Sequence, residues 1–143
     1  MYKRQEHDTD NNNSCVITIT GNNQRALLAG DIDHTVETQL LQNGKIVNSN
    51  VVVVPHHGSQ TSSSKAFVSK LKPEYAVFSA GYLNRFRHPN LDVVGRYRDA
   101  GSAIVKTDEC GAWQFVDGQA SCYRSQVLPR WKRILRQDRV SRQ

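Results

Sequence analysis

The first half of the chain alternates between apolar and polar positions in a way that predicts a hairpin followed by a helix. Alternating apolar residues from Cys15 onward and the segment RALLAG predict two strands joined by the turn GNNQ. Val36, Leu40 and Leu41 fall at helical spacing and predict a helix over residues 34–43, with Asp33 or Thr35 as its N-cap. The hairpin and the helix are therefore expected in this order.

A buried strand and a second set of elements come next. The uninterrupted run Val51 to Val54 is typical of a strand covered on both faces, and Pro55 ends it. The pattern then predicts a helix at 63–71, a strand in YAVFSAG, an amphipathic helix on Leu91, Val94 and Tyr97 that ends near Gly101, and closing strands in SAIVKT, AWQFV and QASCY. This alternation predicts an α/β architecture with an antiparallel margin at each end.

Composition adds that the chain is an ordinary soluble globular domain. It has 143 residues, of which 38% are hydrophobic and 22% are charged. No apolar stretch approaches the roughly 20 residues that span a bilayer, and the first ten residues lack the apolar core of a secretory signal. These features predict one compact unit with a flexible start over residues 1–10, soluble when isolated and without a signal peptide.

The net charge of +6 is concentrated at the end of the chain. From Arg124 to Gln143 there are seven basic residues and one acid. Apolar residues interleave with the arginines, so residues 125–143 are predicted to form a basic amphipathic tail. Such a tail either packs on its own or a neighbouring domain, or contacts a membrane surface or nucleic acid.

The three cysteines show no CxxC spacing, which argues against a zinc knuckle and a dense disulfide framework. Cys15 is predicted to be a core residue. Cys110 and Cys122 flank the last predicted hairpin, whose Asp-Gly turn places Trp113 opposite Cys122. The register therefore does not itself predict a disulfide, and the redox compartment stays open.

Two adjacent histidines at the end of the valine strand are the strongest chemical signal. Pro55 ends the strand and Gly58 permits a tight turn, so His56 and His57 are presented from a stiff support, at the strand ends where α/β folds gather their sites. Asp31 ends the earlier segment LLAGD in the same way. Carboxylate and imidazole together suit Zn, Mn or Fe. Alternatively, Asp31 caps the helix that follows it.

The loop GYLNRFRHPN is predicted to lie on the same edge of the sheet. Asn84 and His88 are candidates to support a metal site or bind phosphate, and arginines bring positive charge there. An ordinary surface loop is the alternative. An anion at a helix N-terminus is a further possibility for the hydroxyls of Ser59, Thr61, Ser62, Ser63 and Ser64. His7 and His34 are predicted to have no catalytic role.

Together the motifs NNNS at 11–14, LLAGD, VVVPHHGSQTSSS, NRFRHP and TDECGAW resemble the C-terminal metallo-β-lactamase-like domain of the ComEC family of inner-membrane competence proteins. The resemblance implies an αββα sandwich with a dinuclear metal site and metal-dependent hydrolysis of DNA during uptake. It implies that Asp31 and His56 or His57 are metal positions for Zn or Mn, and that His88 approaches the site. It also implies DNA and the rest of a membrane-embedded channel as partners, no small organic cofactor, and a periplasmic or extracellular domain of an inner-membrane parent.

The resemblance covers only the second half of that domain. The ligand cluster HxHxDH of the first half has no counterpart in the sequence. Residues 11–124 are therefore expected to be the C-terminal part of the domain, from a longer or truncated gene product, inactive alone and with an exposed apolar face. The alternatives are a DNA- or membrane-binding module that acts through the basic tail, and another hydrolase of the same superfamily.

Overall fold

A computed structural model describes residues 10–126, in which five strands form one mixed sheet beside a separate hairpin. The sheet contains β1 (Ile17–Gly21), β2 (Gln24–Leu28), β3 (Val51–Val53), β4 (Tyr75–Phe78) and β5 (Ala103–Lys106) in that spatial order, with β1 antiparallel to β2 and the others parallel. The hairpin consists of β6 (Trp113–Val116) and β7 (Gln119–Cys122). The helices are α1 (His34–Gln42), α2 (Lys65–Leu71), α3 (Leu91–Asp99), α4 (Thr107–Cys110) and α5 (Tyr123–Gln126).

The predicted α/β alternation is confirmed, but one margin of the sheet is not. The first hairpin joins the sheet as expected, whereas β6 and β7 pair only with each other among the described strands. The last strand of the main sheet is therefore the parallel strand β5. The basic tail and His7 lie outside the described residues, except for the start of the tail in α5. Over the whole range of residues 10–126, no helix combines the length and apolarity needed to cross a bilayer.

One face of the sheet packs against the helices. Val52, Ala76 and Phe78 from the central strands meet buried side chains of α2 and α3. In α3 the buried residues are Val93, Val94 and Tyr97, while Leu91 is 82% exposed. The predicted apolar stripe was wrong at Leu91 because steps of three residues rotate by about 60° around a helix, so the first position leaves the buried face.

The opposite face of the sheet is covered by the β6–β7 hairpin. The Tyr75 ring lies 5.5 Å from the Trp113 ring and 5.3 Å from the Phe115 ring, measured between centroids. This cover does not reach the edge strand β1, where Ile17 and Ile19 are 50% and 54% exposed. Apolar surface thus remains open beside a strand edge, a combination that invites pairing with another segment.

The cysteines differ from their predicted roles. Trp113 does lie opposite Cys122, as the Asp-Gly turn predicted, yet Cys110 and Cys122 form a disulfide. The bond is possible because Cys110 ends the short helix α4 and approaches β7 from outside the hairpin register. Cys15 precedes β1 and is exposed, so its prediction as a core residue was wrong.

Candidate functional site

Asp31 and His57 meet at one edge of the sheet. Leu28 and Val53 are paired at the ends of the parallel strands β2 and β3, so the residues that follow both strands emerge side by side. The His57 Nε2 atom lies 3.6 Å from the Asp31 carboxylate, and both side chains remain about half exposed. Because the side chains are reachable from solvent, this pair can meet a ligand.

The ring of His57 is oriented by a third strand end. Its Nδ1 atom lies 2.7 Å from the carbonyl oxygen of Ser79, directly after β4. A carbonyl can only accept, so Nδ1 carries the proton, and in the neutral imidazole the Nε2 lone pair faces Asp31. A histidine held in this way by a backbone carbonyl has the arrangement usual for a metal ligand.

His56 has a different environment from its neighbour. Its Nε2 lies 3.3 Å from the Asn11 amide nitrogen, and its Nδ1 lies 3.4 Å from the Thr61 hydroxyl. Its ring centroid is 6.1 Å from that of His88. Both nitrogens of His56 therefore already face protein groups.

The segment Asn11 to Ser14 was not predicted to contribute to the site, but it lines the site. Besides the contact of Asn11 with His56, the Ser14 hydroxyl accepts from the Asp31 N–H at 3.2 Å. Asn12 donates to the Asp33 carboxylate at 3.1 Å, and Asp33 caps α1. Asp33 is thus the N-cap, and Asp31 does not hold this place. The available signal was a run of hydrogen-bonding residues just before a predicted strand.

The backbone at the two histidines is strained. His56 has φ 50° and ψ 41°, and His57 has φ 55° and ψ 18°, both in the left-handed region. This region costs about 1–2 kcal/mol for a residue with a side chain. Consecutive residues of this kind persist only when their surroundings hold them, and they cluster at functional sites. The next residue, Gly58, has no room for a side chain, because a Cβ there would lie 2.7 Å from the Phe78 ring.

A buried polar network holds this turn from behind. The Ser62 hydroxyl donates to the carbonyl oxygens of Pro55 at 2.9 Å and Ser59 at 3.0 Å. Glu37, which is fully buried, accepts from the backbone N–H groups of Ser63 and Ser64. The anion near the start of α2 is therefore the protein's own carboxylate, where the sequence suggested an external one.

Two residues of α3 complete this network. Arg96 donates to the carbonyl oxygens of Ser62 at 3.1 Å and Ser63 at 2.9 Å. The hydroxyls of Tyr97 and Ser63 lie 3.2 Å apart. Burial raises the pKa of Tyr97 well above its usual range. Sequence reasoning missed Glu37, although its position three and four residues before Leu40 and Leu41 placed a carboxylate on the apolar stripe of α1.

Asn84 and His88 occupy the neighbouring loop and serve its internal structure. The Asn84 amide donates to the His88 carbonyl at 2.7 Å and accepts from the His88 N–H at 2.9 Å. The Asn90 N–H donates to the Gly58 carbonyl at 2.9 Å, which joins the loop to residues 55–62, called the histidine turn below. Burial lowers the pKa of His88, and the nearby His56 and His57 lower it further.

The donor set is incomplete for a catalytic metal. Over residues 10–126, no group of three or more His, Cys, Asp and Glu side chains is arranged to hold a metal ion. Asp31 and His57 supply two donors, whereas catalytic zinc sites have three protein ligands. The described residues therefore do not fit a complete metal centre.

The fold and the site around Asp31 and His57 define a mixed α/β domain with a polar His and Asp cluster at the carboxyl ends of parallel strands. No protein-family model matches the chain. It is 42% identical to competence protein ComA of Neisseria gonorrhoeae over 77% of its length, 33% identical to the uncharacterized protein YcaI of Escherichia coli over 87%, and 30% identical to ComE operon protein 3 of Bacillus subtilis over 73%.

These similarities concern a small part of each relative. The matched segments make up 16%, 17% and 14% of the three proteins. The names of the Neisseria and Bacillus relatives are those of ComEC-type proteins. These similarities support the interpretation of the chain as part of a competence protein.

Proposed function

We propose that this chain is part of a ComEC-type competence protein that acts on DNA during uptake, and that Asp31 and His57 form one wall of a divalent metal site. The complete domain is then a metal-dependent DNA phosphodiesterase. The observation that carries this proposal is the oriented pair, in which the His57 Nδ1 atom lies 2.7 Å from the Ser79 carbonyl oxygen and the Nε2 atom lies 3.6 Å from the Asp31 carboxylate. Zn or Mn is the expected ion, because both accept imidazole and carboxylate ligands.

The contacts favour His57 over His56 as the ligand. His57 presents a nitrogen toward Asp31, whereas both nitrogens of His56 face Asn11 and Thr61. A ligand role for His56 would require either Asn11 or Thr61 to leave its ring nitrogen, whereas His57 needs no such displacement. In this proposal His56 instead holds the turn and contacts His88.

The remaining ligands come from elsewhere in a longer protein. Two donors hold a metal weakly, so the chain alone is expected to be inactive toward DNA. The relatives extend far beyond the matched segment, so they have ample chain to supply the missing donors. When bound, the metal would supply an activated water and stabilise negative charge on a phosphodiester.

The disulfide supports a location outside the cytoplasm. Bonds such as Cys110–Cys122 persist in oxidising compartments and are rare in cytosolic proteins. A periplasmic or extracellular domain on an inner-membrane parent meets this requirement and places the site where incoming DNA arrives.

Manganese broadening of NMR signals tests directly whether Asp31 and His57 bind a metal ion. Mn²⁺ added to the chain should broaden the signals of residues around Asp31 and His57, and the Asp31→Asn and His57→Gln variants should abolish this effect. The matched control His34→Gln changes an exposed histidine on the first turn of α1 and should leave the broadening intact. Equal broadening in wild type and His57→Gln would refute the proposed ligand.

Hydrolysis of labelled DNA is the companion measurement. The chain alone with Mn²⁺ or Zn²⁺ should show no turnover above buffer, because its donor set is incomplete. Robust turnover that Asp31→Asn abolishes would show instead that the chain carries a complete site.

A further inference from the structure

The loop of residues 81–88, called the aromatic loop below, displays apolar and basic side chains together. Tyr82, Leu83 and Phe86 are 76%, 83% and 64% exposed. Arg85 and Arg87 are exposed beside them. A concentration of exposed apolar groups in one loop marks an interaction site, and the arginines give it a preference for an anion.

The side chains of this loop form a line that leads to the histidine turn. The Arg85 guanidinium lies 4.6 Å from the centre of the Phe86 ring. The Phe86 and His88 rings are stacked, with centroids 5.8 Å apart and an angle of 18° between their planes. His88 in turn neighbours His56, at 6.1 Å between centroids. The line thus ends beside the residue that precedes His57.

The backbone holds these groups in a fixed presentation. The Asn84 N–H donates to the Gly81 carbonyl at 3.2 Å, and the Arg87 N–H donates to the Asn84 carbonyl at 3.1 Å. These bonds form consecutive tight turns, which the Asn84 side chain closes onto His88. A fixed loop loses less conformational entropy when it binds a partner.

We propose that the aromatic loop binds single-stranded DNA, with unpaired bases stacked on Tyr82 and on the Arg85 guanidinium, which the Phe86 ring supports, and with phosphates at Arg87. Aromatic rings and guanidinium planes bind bases of any sequence by stacking, and arginines follow the phosphates. In a duplex each base face is already covered, so the loop selects unpaired strands. The inference rests on the proposed function, because it names the form of DNA that reaches Asp31 and His57.

A lipid surface is the other partner that these residue types recognise. Tyrosine, leucine and phenylalanine beside arginine also occur at membrane interfaces. The line from Arg85 to His56 favours a strand, because it leads from the loop toward the site. A bilayer would contact only the outward side chains and would make no use of this line.

Fluorescence anisotropy with the full chain tests the proposal. The probes are a labelled 12-nucleotide single strand and its duplex, in EDTA and over a range of salt. Wild type should bind the single strand more tightly, and Phe86→Ala should weaken this binding at least about fivefold, the effect of losing one stacked base. Duplex binding should be unchanged. The controls Tyr123→Ala and Arg98→Ala remove an exposed ring and an exposed charge elsewhere and should leave both affinities unchanged.

The basic tail is the same in every variant, so its contribution to DNA affinity, which falls as the salt concentration rises, cancels in the comparison. The informative quantity is therefore the difference in affinity between wild type and Phe86→Ala. Equal single-strand affinity in wild type and Phe86→Ala overturns the proposal, as does equal affinity of wild type for strand and duplex. Binding to anionic vesicles that Phe86→Ala abolishes, with DNA affinity unaffected, overturns it in favour of lipid.

Because EDTA removes metal ions, the DNA affinities measured in this assay do not depend on metal binding by Asp31 and His57. An effect at Phe86 without manganese broadening at Asp31 supports the aromatic loop and counts against the proposed catalytic function alone. Broadening at Asp31 without an effect at Phe86 counts against the loop alone.

Discussion

The histidine turn and the aromatic loop share one backbone feature but are stabilised in different ways. Both contain residues with side chains in the left-handed region, at His56 and His57 in the turn and at Leu83 and Arg87 in the loop. The turn is held by the buried Glu37 of α1 and the partly buried Arg96 of α3, whereas the loop is closed mainly by the side chain of Asn84. The turn, which must fix the position of the proposed metal ligand His57, is supported by groups from two helices. The loop, which must contact a partner at the surface, is supported mainly by groups of its own.

The largest effect is expected where the deep support is removed, at Glu37. Glu37→Ala leaves the N–H groups of Ser63 and Ser64 without their acceptor and opens a cavity, so the free energy of unfolding should fall by about 3 kcal/mol or more. Urea denaturation followed by circular dichroism measures this loss.

A matched variant separates hydrogen bonding from volume. Glu37→Gln keeps the size and one acceptor oxygen, so its loss should be clearly smaller than that of Glu37→Ala. If both variants lose less than about 1 kcal/mol, the network does not support the turn and the contrast between the two regions fails.

A smaller effect with a distinct pH dependence is expected at Tyr97. Tyr97→Phe removes the hydroxyl contact with Ser63 and should cost about 1 kcal/mol near pH 7. Burial holds the pKa of Tyr97 above its unfolded value of about 10, so its contribution is present below pH 10 and is lost as pH rises further.

The stability difference between wild type and Tyr97→Phe should therefore shrink above pH 10 and then reverse, since each pH unit removes about 1.4 kcal/mol from wild type alone. Denaturation curves at pH 7, 10 and 11 measure the trend. Tyr123→Phe changes an exposed tyrosine and should show a constant difference from wild type. A constant difference for Tyr97→Phe as well would contradict the buried environment.

Local patterns predicted the strands, the helices α1, α2 and α3, and the strand-end position of Asp31 and His57, because these are properties of short segments, whereas the short helix α4 was not predicted. Strand order, which brings Ser79 to His57, is a long-range property, and so is the placement of Glu37 behind the turn. The unpredicted disulfide has the same cause, since Cys110 reaches Cys122 from a helix outside the hairpin. The metal site, DNA hydrolysis and the sandwich fold stay predictions.

The smallest effect on the free energy of unfolding is expected at Asn84, where the change should be confined to the loop. Asn84→Ala removes the bonds to the His88 backbone, so amide exchange at His88 should accelerate roughly tenfold, while the free energy of unfolding falls by about 1 kcal/mol or less. Exchange at Ser59 and Ser62 in the histidine turn should be unchanged, because their partners lie within the turn and the buried network.

Asn84→Asp is the matched control for this local support. The carboxylate keeps the acceptor for the His88 N–H and loses the donor to the His88 carbonyl, so exchange at His88 should lie between wild type and Asn84→Ala. NMR exchange rates at the single amides provide the readout. If Asn84→Ala loosened Ser59 and Ser62 as strongly as His88, the loop and the turn would be one cooperative unit, and the contrast between the local support of the loop and the deep support of the turn would fail.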